Sequence, residues 1–241
     1  MKKIFDVSYN RFCKLDMYLP DTNEPYPVLI HFHGGGLENG CRKDEIYPDL
    51  TEKGIGFITC DYRMYPDAHF PDFIEDAAQA IAYVMEYGKQ NNLFSKIFVS
   101  GSSAGAYLCQ MLYFDTHYFK RQNIVPDSIN GWIFNAGQPT VHFNVLRERG
   151  EDPRLVRIDP AAPIYFVGQN LLPQQPKLLF LVADNDREGR LEQTQLLLAT
   201  MKQYSYDMKK MELRVMNGYH HCEYVRNKSF FTNLIADFIL N

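Results

Sequence analysis

Several kinds of segment are missing from this chain of 241 residues. No stretch reaches the ~18 continuous apolar residues that a membrane-spanning helix needs. No dense run of lysine and arginine marks a nucleic-acid-binding face, and the formal net charge is −4. Polar residues such as Asp6, Asn10 and Arg11 interrupt the N-terminal segment before the apolar core of a signal peptide forms. These absences predict a cytoplasmic protein with no membrane or nucleic-acid partner, and they leave its oligomeric state open.

Cysteine is also scarce. The five cysteines are odd in number and form no C-x-x-C pair, which favours reduced thiols in a reducing compartment over a disulfide framework. Cys60 and Cys109 lie in apolar segments, where a thiol behaves as a small core residue. Hydrophobic residues make up 46% of the chain and charged residues 22%, as in an ordinary globular protein. We therefore expect one domain over residues 1–241.

Short apolar runs alternate with longer helical patterns along the chain, which is typical of an α/β fold with a mostly parallel sheet and helices on both faces. The predicted strands are Lys14–Leu19, Val28–Phe32, Gly56–Cys60, Lys96–Ser100, Ile129–Phe134, Leu178–Val182 and Glu212–Met216. The predicted helices, from apolar residues at i, i+3, i+4 and i+7, are Phe73–Tyr87, Ser103–Phe114, Leu191–Lys202 and Lys228–Leu240.

The segment Asn135–Pro176 interrupts this alternation. It contains six prolines and shows weak hydrophobic periodicity. Long irregular excursions in compact domains are often functional, so we interpret this segment as a small cap or pocket wall, with a plain surface excursion as the alternative.

The run Lys96–Ala106 carries a G-x-S-x-G motif at Gly101-Ser102-Ser103-Ala104-Gly105, between a predicted strand and a predicted helix. This spacing places a serine on a sharp turn with its hydroxyl exposed above the sheet, and it aims the positive end of the following helix at the same point. Ser103 is therefore the predicted nucleophile. A flexible Gly/Ser turn is the alternative interpretation of the motif.

Upstream, a predicted strand ends directly in His33-Gly34-Gly35-Gly36. Glycines let the backbone N–H groups approach a substrate, and such groups stabilise the oxyanion of a tetrahedral intermediate. With these motifs the chain resembles the esterases and lipases of the α/β-hydrolase superfamily, in the hormone-sensitive-lipase-like branch that carries HGGG. The segment that begins at Asp61-Tyr62-Arg63 is similar to that branch as well. The resemblance implies that the N–H groups of Gly35, Gly36 and Ala104 form the oxyanion hole and that His33 helps to hold the loop.

The resemblance also implies a catalytic acid and base, in the order serine, acid, histidine. After the strand Leu178–Val182, the family pattern falls on Asp186, with Asp184 as the alternative. Near the C-terminus, the pattern of a glycine followed by the base falls on His221, with His220 as the alternative. The isolated histidines His31, His69, His117 and His142 are interpreted as structural. No H-E-x-x-H or H-x-H-x-D-H arrangement occurs, so neither a metal nor another cofactor is predicted.

These features predict a serine carboxylic-ester hydrolase that acts on small, acetyl-type esters through an acyl-enzyme. An amidase on the same fold, similar to arylformamidases, is the nearest alternative because acyl transfer from nitrogen uses the same groups. A non-catalytic binding protein on the fold is the third possibility. The expected partner is a small-molecule ester.

Overall fold

The computed structural model describes all residues, 1–241. Eight strands form one sheet: β1 (Lys2–Ser8), β2 (Lys14–Leu19), β3 (Tyr26–Phe32), β4 (Gly56–Cys60), β5 (Phe94–Ser102), β6 (Gly131–Asn135), β7 (Lys177–Asn185) and β8 (Met211–His220). The α-helices are α1 (Asp72–Asn91), α2 (Ala104–Phe114), α3 (His117–Arg121), α4 (Phe143–Glu148), α5 (Arg190–Gln203) and α6 (Lys228–Leu240).

The sheet is mostly parallel, as predicted. Its strand order is β1-β2-β4-β3-β5-β6-β7-β8. The six strands from β4 to β8 in this order run parallel, whereas β1 and β2 pair antiparallel at one edge. Central strands such as β4, β6 and most of β3 are buried along their length, which explains their continuous apolar runs.

Helices cover both faces of the sheet. On one face, α1, α2 and α5 pack into a core that includes Ile81, Tyr107 and Leu197. On the other face, α6 contributes Phe231, Leu234, Ile235 and Phe238 to a second core. Helix α2 is buried at every residue because it is apolar on all sides. No helix combines the length and the apolar character needed to cross a lipid bilayer.

The structure differs from the sequence-based expectation at several elements. Strand β1 was not predicted, because Lys2–Ser8 is largely exposed at the sheet edge and lacks an apolar run. Helices α3 and α4 were not predicted either, since five and six residues are too few for a helical repeat to stand out. The predicted strands β3, β5, β7 and β8 were too short, by one to four residues at an end. The predicted β6 began two residues too early and ended one residue too early.

The parallel strands bring four loops to one edge of the sheet. In the register of the sheet, Phe32 pairs with Gly101, Ser102 with Asn135, and Asn185 with His220. Each of these residues lies at the carboxyl end of its strand. The segments after β3, β5, β7 and β8, which carry the predicted site residues, therefore meet at the same edge.

Candidate active site

Ser103 occupies the sharp turn between β5 and α2. Its backbone has φ 52° and ψ −108°, a conformation that costs a residue with a side chain on the order of 1–3 kcal/mol and persists only where its surroundings fix it. The Ser103 N–H donates to the carbonyl of Asn135 at 2.7 Å, and the Ser103 carbonyl accepts from Tyr107 N–H at 3.0 Å. These two bonds anchor the turn to β6 and to the first turn of α2.

The glycine that follows the nucleophile lets α2 lie directly against the sheet. A Cβ atom on Gly105 would stand 2.1 Å from the carbonyl oxygen of Phe32, at the end of β3. A methyl group cannot fit there without moving the helix or the strand. The second glycine of the G-x-S-x-G motif thus sets how closely the nucleophile approaches the HGGG loop.

The three side chains predicted as nucleophile, base and acid lie in hydrogen-bonding contact. His221 Nε2 is 2.8 Å from Ser103 Oγ, and His221 Nδ1 is 2.5 Å from Asp186 Oδ1. A carboxylate only accepts hydrogen bonds, so Nδ1 of His221 carries the proton and Nε2 is left to accept from the Ser103 hydroxyl. The arrangement can deprotonate the serine as it attacks.

The environment of Asp186 keeps its carboxyl ionised. Its side chain is 1% exposed. Burial raises the pKa of Asp186, but the hydrogen bond from His221 and the N–H of Arg187 outweigh it and hold this pKa below its ordinary value. An ionised Asp186 fixes the tautomer of His221 and stabilises the imidazolium that forms during reaction.

The alternatives to Asp186 and His221, and the serine next to Ser103, have other partners. Asp184 Oδ1 accepts from the N–H of Gly218 at 2.8 Å and so joins the ends of β7 and β8. His220 is exposed, and its Nδ1 lies 3.2 Å from the carbonyl of Asn185. Ser102 is buried, and its hydroxyl accepts from Asn135 Nδ2 at 2.9 Å. None of these three residues takes part in the chain of bonds from Asp186 to Ser103.

The HGGG loop presents backbone N–H groups beside the nucleophile. The Gly34 N–H donates to Glu45 Oε1 at 2.9 Å, whereas the N–H groups of Gly35 and Gly36 have no acceptor within the chain. Gly35 has φ +110°, and a Cβ atom on it would stand 1.8 Å from the carbonyl oxygen of Asn39. The N–H of Ala104 begins α2, where the first N–H groups lack an intrahelical acceptor. The three N–H groups predicted to bind the oxyanion therefore make no hydrogen bond within the chain.

Two buried side chains hold this loop from below. His33 Nδ1 lies 2.6 Å from the carbonyl of Gly34, and its ring stacks on Tyr62 with centroids 4.4 Å apart. The Tyr62 hydroxyl donates to the carbonyl of His33 at 2.9 Å. Burial lowers the pKa of His33, so this ring is neutral at pH 7 and serves as packing and as a hydrogen-bond donor.

Glu45 is a site residue that the sequence did not reveal. Its Oε2 is 3.2 Å from Nε2 of the buried His31, and its Oε1 accepts from the Gly34 N–H. Burial raises the pKa of Glu45, but the contacts with His31, Ser102 and Gly34 outweigh it and hold the pKa at about 2. The loop that supplies the oxyanion donors is therefore fixed to a carboxylate that stays charged.

Asn135 was also missed by sequence reasoning. Its side chain donates to Ser102 Oγ and accepts from the hydroxyl of Tyr224, while its carbonyl accepts from the Ser103 N–H. Tyr224 follows His221 by three residues, so Asn135 connects the nucleophile turn to the segment that carries the base. The only signal in the sequence was that Asn135 directly follows the predicted strand Ile129–Phe134.

A cavity of about 460 Å³ opens onto these groups. Ser103, His221 and the three glycines of the HGGG loop line it, and Phe143 and Cys222 are its only hydrophobic lining residues. A larger concavity of about 750 Å³ lies between the end of α1 and residues 122–128. None of the triad residues Ser103, Asp186 and His221 lines it. The cavity at the triad is therefore the one with the means to react with a substrate.

Part of the segment 135–176 forms the wall of this cavity. Helix α4 begins after His142 and places Phe143 and Arg147 in the lining. Asn144 donates from its Nδ2 to the carbonyl of Gly36 and to Glu38 Oε1. These bonds fasten the helix to the HGGG loop.

The remaining histidines have no contact with Ser103 or Asp186. His31 and His142 are buried, whereas His69 Nδ1 lies 3.1 Å from Glu148 Oε1 and His117 Nδ1 lies 2.6 Å from Asp115 Oδ1. No group of three or more histidine, cysteine, aspartate or glutamate side chains is arranged to hold a metal ion. All five cysteines are free, and Cys60 and Cys109 lie in the core as predicted.

Comparison with known proteins finds similarity to proteins named as esterases. The family model BD-FAE matches residues 15–128. The chain is 29% identical over 156 residues to the 3-O-acetylpapaveroxine carboxylesterase CXE1 of Papaver somniferum, which covers 54% of this chain and 48% of that protein. It is 33% identical over 102 residues to the esterase LipI of Mycobacterium tuberculosis, which covers 39% of this chain and 30% of that protein. The chain thus matches less than half the length of either relative.

The solved structures agree at the level of the fold. A thermophilic esterase from Thermogutta terrifontis superposes with a TM-score of 0.73 over 98% of this chain and 90% of its own, at 19% identity. At this identity the likeness establishes the shared fold, and the predicted fold class is confirmed.

Proposed function

We propose that the chain is a serine hydrolase of carboxylic esters, an α/β-hydrolase that carries the HGGG loop of the hormone-sensitive-lipase-like branch. The observation that carries this proposal is the pair of hydrogen bonds that link Asp186, His221 and Ser103. Nucleophile, base and orienting acid are all present, and they face unoccupied backbone donors.

The reaction begins with the Ser103 hydroxyl. His221 Nε2 takes its proton while Oγ attacks the ester carbonyl, and the N–H groups of Gly35, Gly36 and Ala104 stabilise the oxyanion. The C–O bond to the alcohol then breaks, and the alcohol leaves with the proton from His221. Water then adds to the acyl-enzyme and loses a proton to His221. The bond between the acyl carbon and Ser103 Oγ breaks, Oγ takes the proton back from His221, and the carboxylic acid leaves.

We further propose that the acyl group is small, of the acetyl type. Only Phe143 and Cys222 among the residues that line the cavity of about 460 Å³ are hydrophobic, so the cavity offers little apolar surface to a long acyl chain. A relative named for an acetyl ester, the carboxylesterase of Papaver somniferum, supports the same class.

The decisive experiment compares the wild-type protein with Ser103→Ala on p-nitrophenyl acetate. We expect the variant to lose a factor of roughly 10⁴ or more in kcat. A fluorophosphonate probe should label Ser103, and labelling of Ser102 would reassign the nucleophile. Turnover of a formyl amide above that of acetyl esters would instead make the protein an amidase.

A further inference from the structure

A second hollow of about 660 Å³ adjoins the catalytic cavity. Phe143, Arg147 and Arg187 line both, so the two concavities form one continuous surface. Arg154 and Arg190 complete the positively charged lining of the second one, which we call the arginine hollow. Glu188 is the only acidic residue among its lining residues.

The charges in this hollow are incompletely neutralised. Arg147 pairs with Glu38 at 3.1 Å and Arg154 with Asp152 at 2.7 Å. Arg187 forms no ion pair, and its guanidinium lies over the ring of Phe143, 5.4 Å from the centroid. Glu188 pairs with none of these arginines. The stacking holds a free cation between the triad and the arginine hollow.

Arg190 adds a buried positive charge. The residue is 5% exposed, and its two terminal nitrogens donate to neutral acceptors, the carbonyl of Ala136 at 2.8 Å and Gln138 Oε1 at 3.1 Å. No carboxylate lies within ion-pair distance of it. Burial lowers the pKa of Arg190 to about 10, so it remains a cation at neutral pH. The charge of Asp186 favours this cation from beyond ion-pair distance and that of Arg187 opposes it. Burying a charge is costly, and an anion in the adjacent hollow adds to the compensation of that cost.

The backbone contributes in the same direction. Helix α5 has 14 residues and begins at Arg190, with Gly189 at its N-cap and no side chain that caps it. Gly189, Arg190 and Gln193 line the hollow, so the positive end of the helix dipole faces it. A guanidinium, a buried cation and a helix terminus converge on one concavity.

We propose that the arginine hollow binds a carboxylate group of the substrate, so that the preferred esters are anionic. This inference rests on the proposed function, because the bound carboxylate must belong to a molecule whose ester bond reaches Ser103. Arg187 is the specificity-determining residue: its fork of donors matches a carboxylate, and the neighbouring positive charges favour the same ligand. The carboxylate can stand on the acyl side or on the alcohol side of the ester.

The experiment uses two pairs of esters. On the acyl side, the p-nitrophenyl monoester of succinic acid is compared with p-nitrophenyl butyrate. On the alcohol side, 4-acetoxybenzoate is compared with 4-acetoxybenzamide. The quantity measured for each pair is the ratio of kcat/KM for the anionic ester to that for the neutral ester. Arg187→Gln should lower this ratio by about tenfold or more on at least one side, chiefly through KM of the anionic ester.

The matched control is Arg11→Gln. Arg11 is exposed, and its substitution by glutamine removes the same charge as the substitution of Arg187. Its guanidinium also lies over a phenylalanine ring, 5.4 Å from the centroid of Phe12, but Arg11 lines neither concavity. We expect its ratios to equal those of the wild type. Equal loss in both variants would mean that net charge alone attracts the ester, and ratios unchanged within twofold in Arg187→Gln would overturn the proposal.

A binding measurement separates this proposal from the proposed function. Succinamate carries the carboxylate but no ester, and an NMR titration should show weaker binding to Arg187→Gln than to wild type or Arg11→Gln. If neutral esters are not hydrolysed, the esterase assignment falls and the titration still decides whether the hollow binds a carboxylate. If neutral esters are hydrolysed but neither the kcat/KM ratio nor the binding of succinamate depends on Arg187, carboxylate binding in the arginine hollow is refuted and the proposed function stands.

Discussion

Glu45 Oε1 accepts a hydrogen bond from the N–H of Gly34 at 2.9 Å, and this bond joins a charged side chain to the loop beside the nucleophile. The same carboxylate lies 3.2 Å from His31 Nε2. Glu45 is a positioning residue because it holds the backbone in which the next two N–H groups are left free to meet an oxyanion.

We predict that Glu45→Gln lowers kcat for p-nitrophenyl acetate by about tenfold with little change in KM. The amide has one oxygen acceptor where the carboxylate has two, so the loop loses part of its support in the transition state. Steady-state kinetics measure the effect, and Glu24→Gln, on an exposed glutamate without a hydrogen-bond partner for its carboxylate, is the control. A rise in KM at constant kcat would show that Glu45 acts on substrate binding instead.

The same residue predicts a dependence of stability on pH. The folded-state pKa of Glu45 is about 2, against an ordinary value of 4.5, so its stabilising contribution is present above pH 4.5 and is lost as the pH falls towards 2. The difference in melting temperature between wild type and Glu45→Gln should therefore be constant near pH 6–7 and shrink on acidification. Thermal melts across this range test it, and a difference that grows as the pH falls would contradict it.

Asp186 and Asp184 form a matched pair for substitution. Asp186→Asn should reduce kcat by roughly 10³–10⁴, because an amide in contact with His221 Nδ1 favours the wrong tautomer of the ring. Asp184→Asn should keep kcat within about tenfold, since Asp184 bonds to the Gly218 N–H and not to the base. Kinetics on purified, folded variants decide the matter, and the reverse order of effects would move the acid to Asp184.

The adjacent histidines allow the same comparison. His221→Asn removes the group that contacts Ser103 and should abolish measurable ester turnover, a loss of roughly 10⁴ or more in kcat. His220→Asn removes an exposed ring whose nearest polar partner is the carbonyl of Asn185, so most activity should remain. Loss of activity in both variants at unchanged melting temperature would show that His220 also acts in the reaction.

Gly105→Ala tests the contact between α2 and the sheet. Its added methyl group would collide with the Phe32 carbonyl, so we expect destabilisation of several kcal/mol or failure to fold. Gly150→Ala is the control: its φ of +72° is strained for alanine, but no atom lies within 4 Å, and the cost should be about 1 kcal/mol. Urea denaturation gives both values, and equal costs would remove the steric explanation.

The sequence was most informative where chemistry and element boundaries coincide. Ser103, Asp186 and His221 each follow a strand, and parallel strands must bring those positions to one edge, so their meeting could be expected. Lys228–Leu240 was predicted to the residue because its apolar stripe has the helical period throughout.

Other parts of the site carry no local signal. Glu45 lies in a stretch without periodicity, and nothing in the chain reveals that it faces a backbone N–H eleven residues earlier. Asn135 acts through bonds to two separate segments, Ser102 and Ser103 at the nucleophile turn and Tyr224 near the C-terminus. The register of β5 and β6 brings the first of these segments to it, and the sequence does not reveal that register. Helix α4 is capped by the His142 side chain, which accepts from the Asn144 N–H. Histidine is not among the residues that mark a helix start in a sequence.

The bonds made by Asn135 have a mechanical consequence. Asn135, the last residue of β6, forms hydrogen bonds to the turn that carries Ser103. It also accepts a hydrogen bond from Tyr224, in the segment that follows His221. A shift of β6 would therefore move Ser103 and the segment of His221 together. The distance between Ser103 Oγ and His221 Nε2 is thus less sensitive to movement of the surrounding loops. The loops can then change in sequence and alter the entrance to the cavity without disturbing the proton transfer from Ser103 to His221.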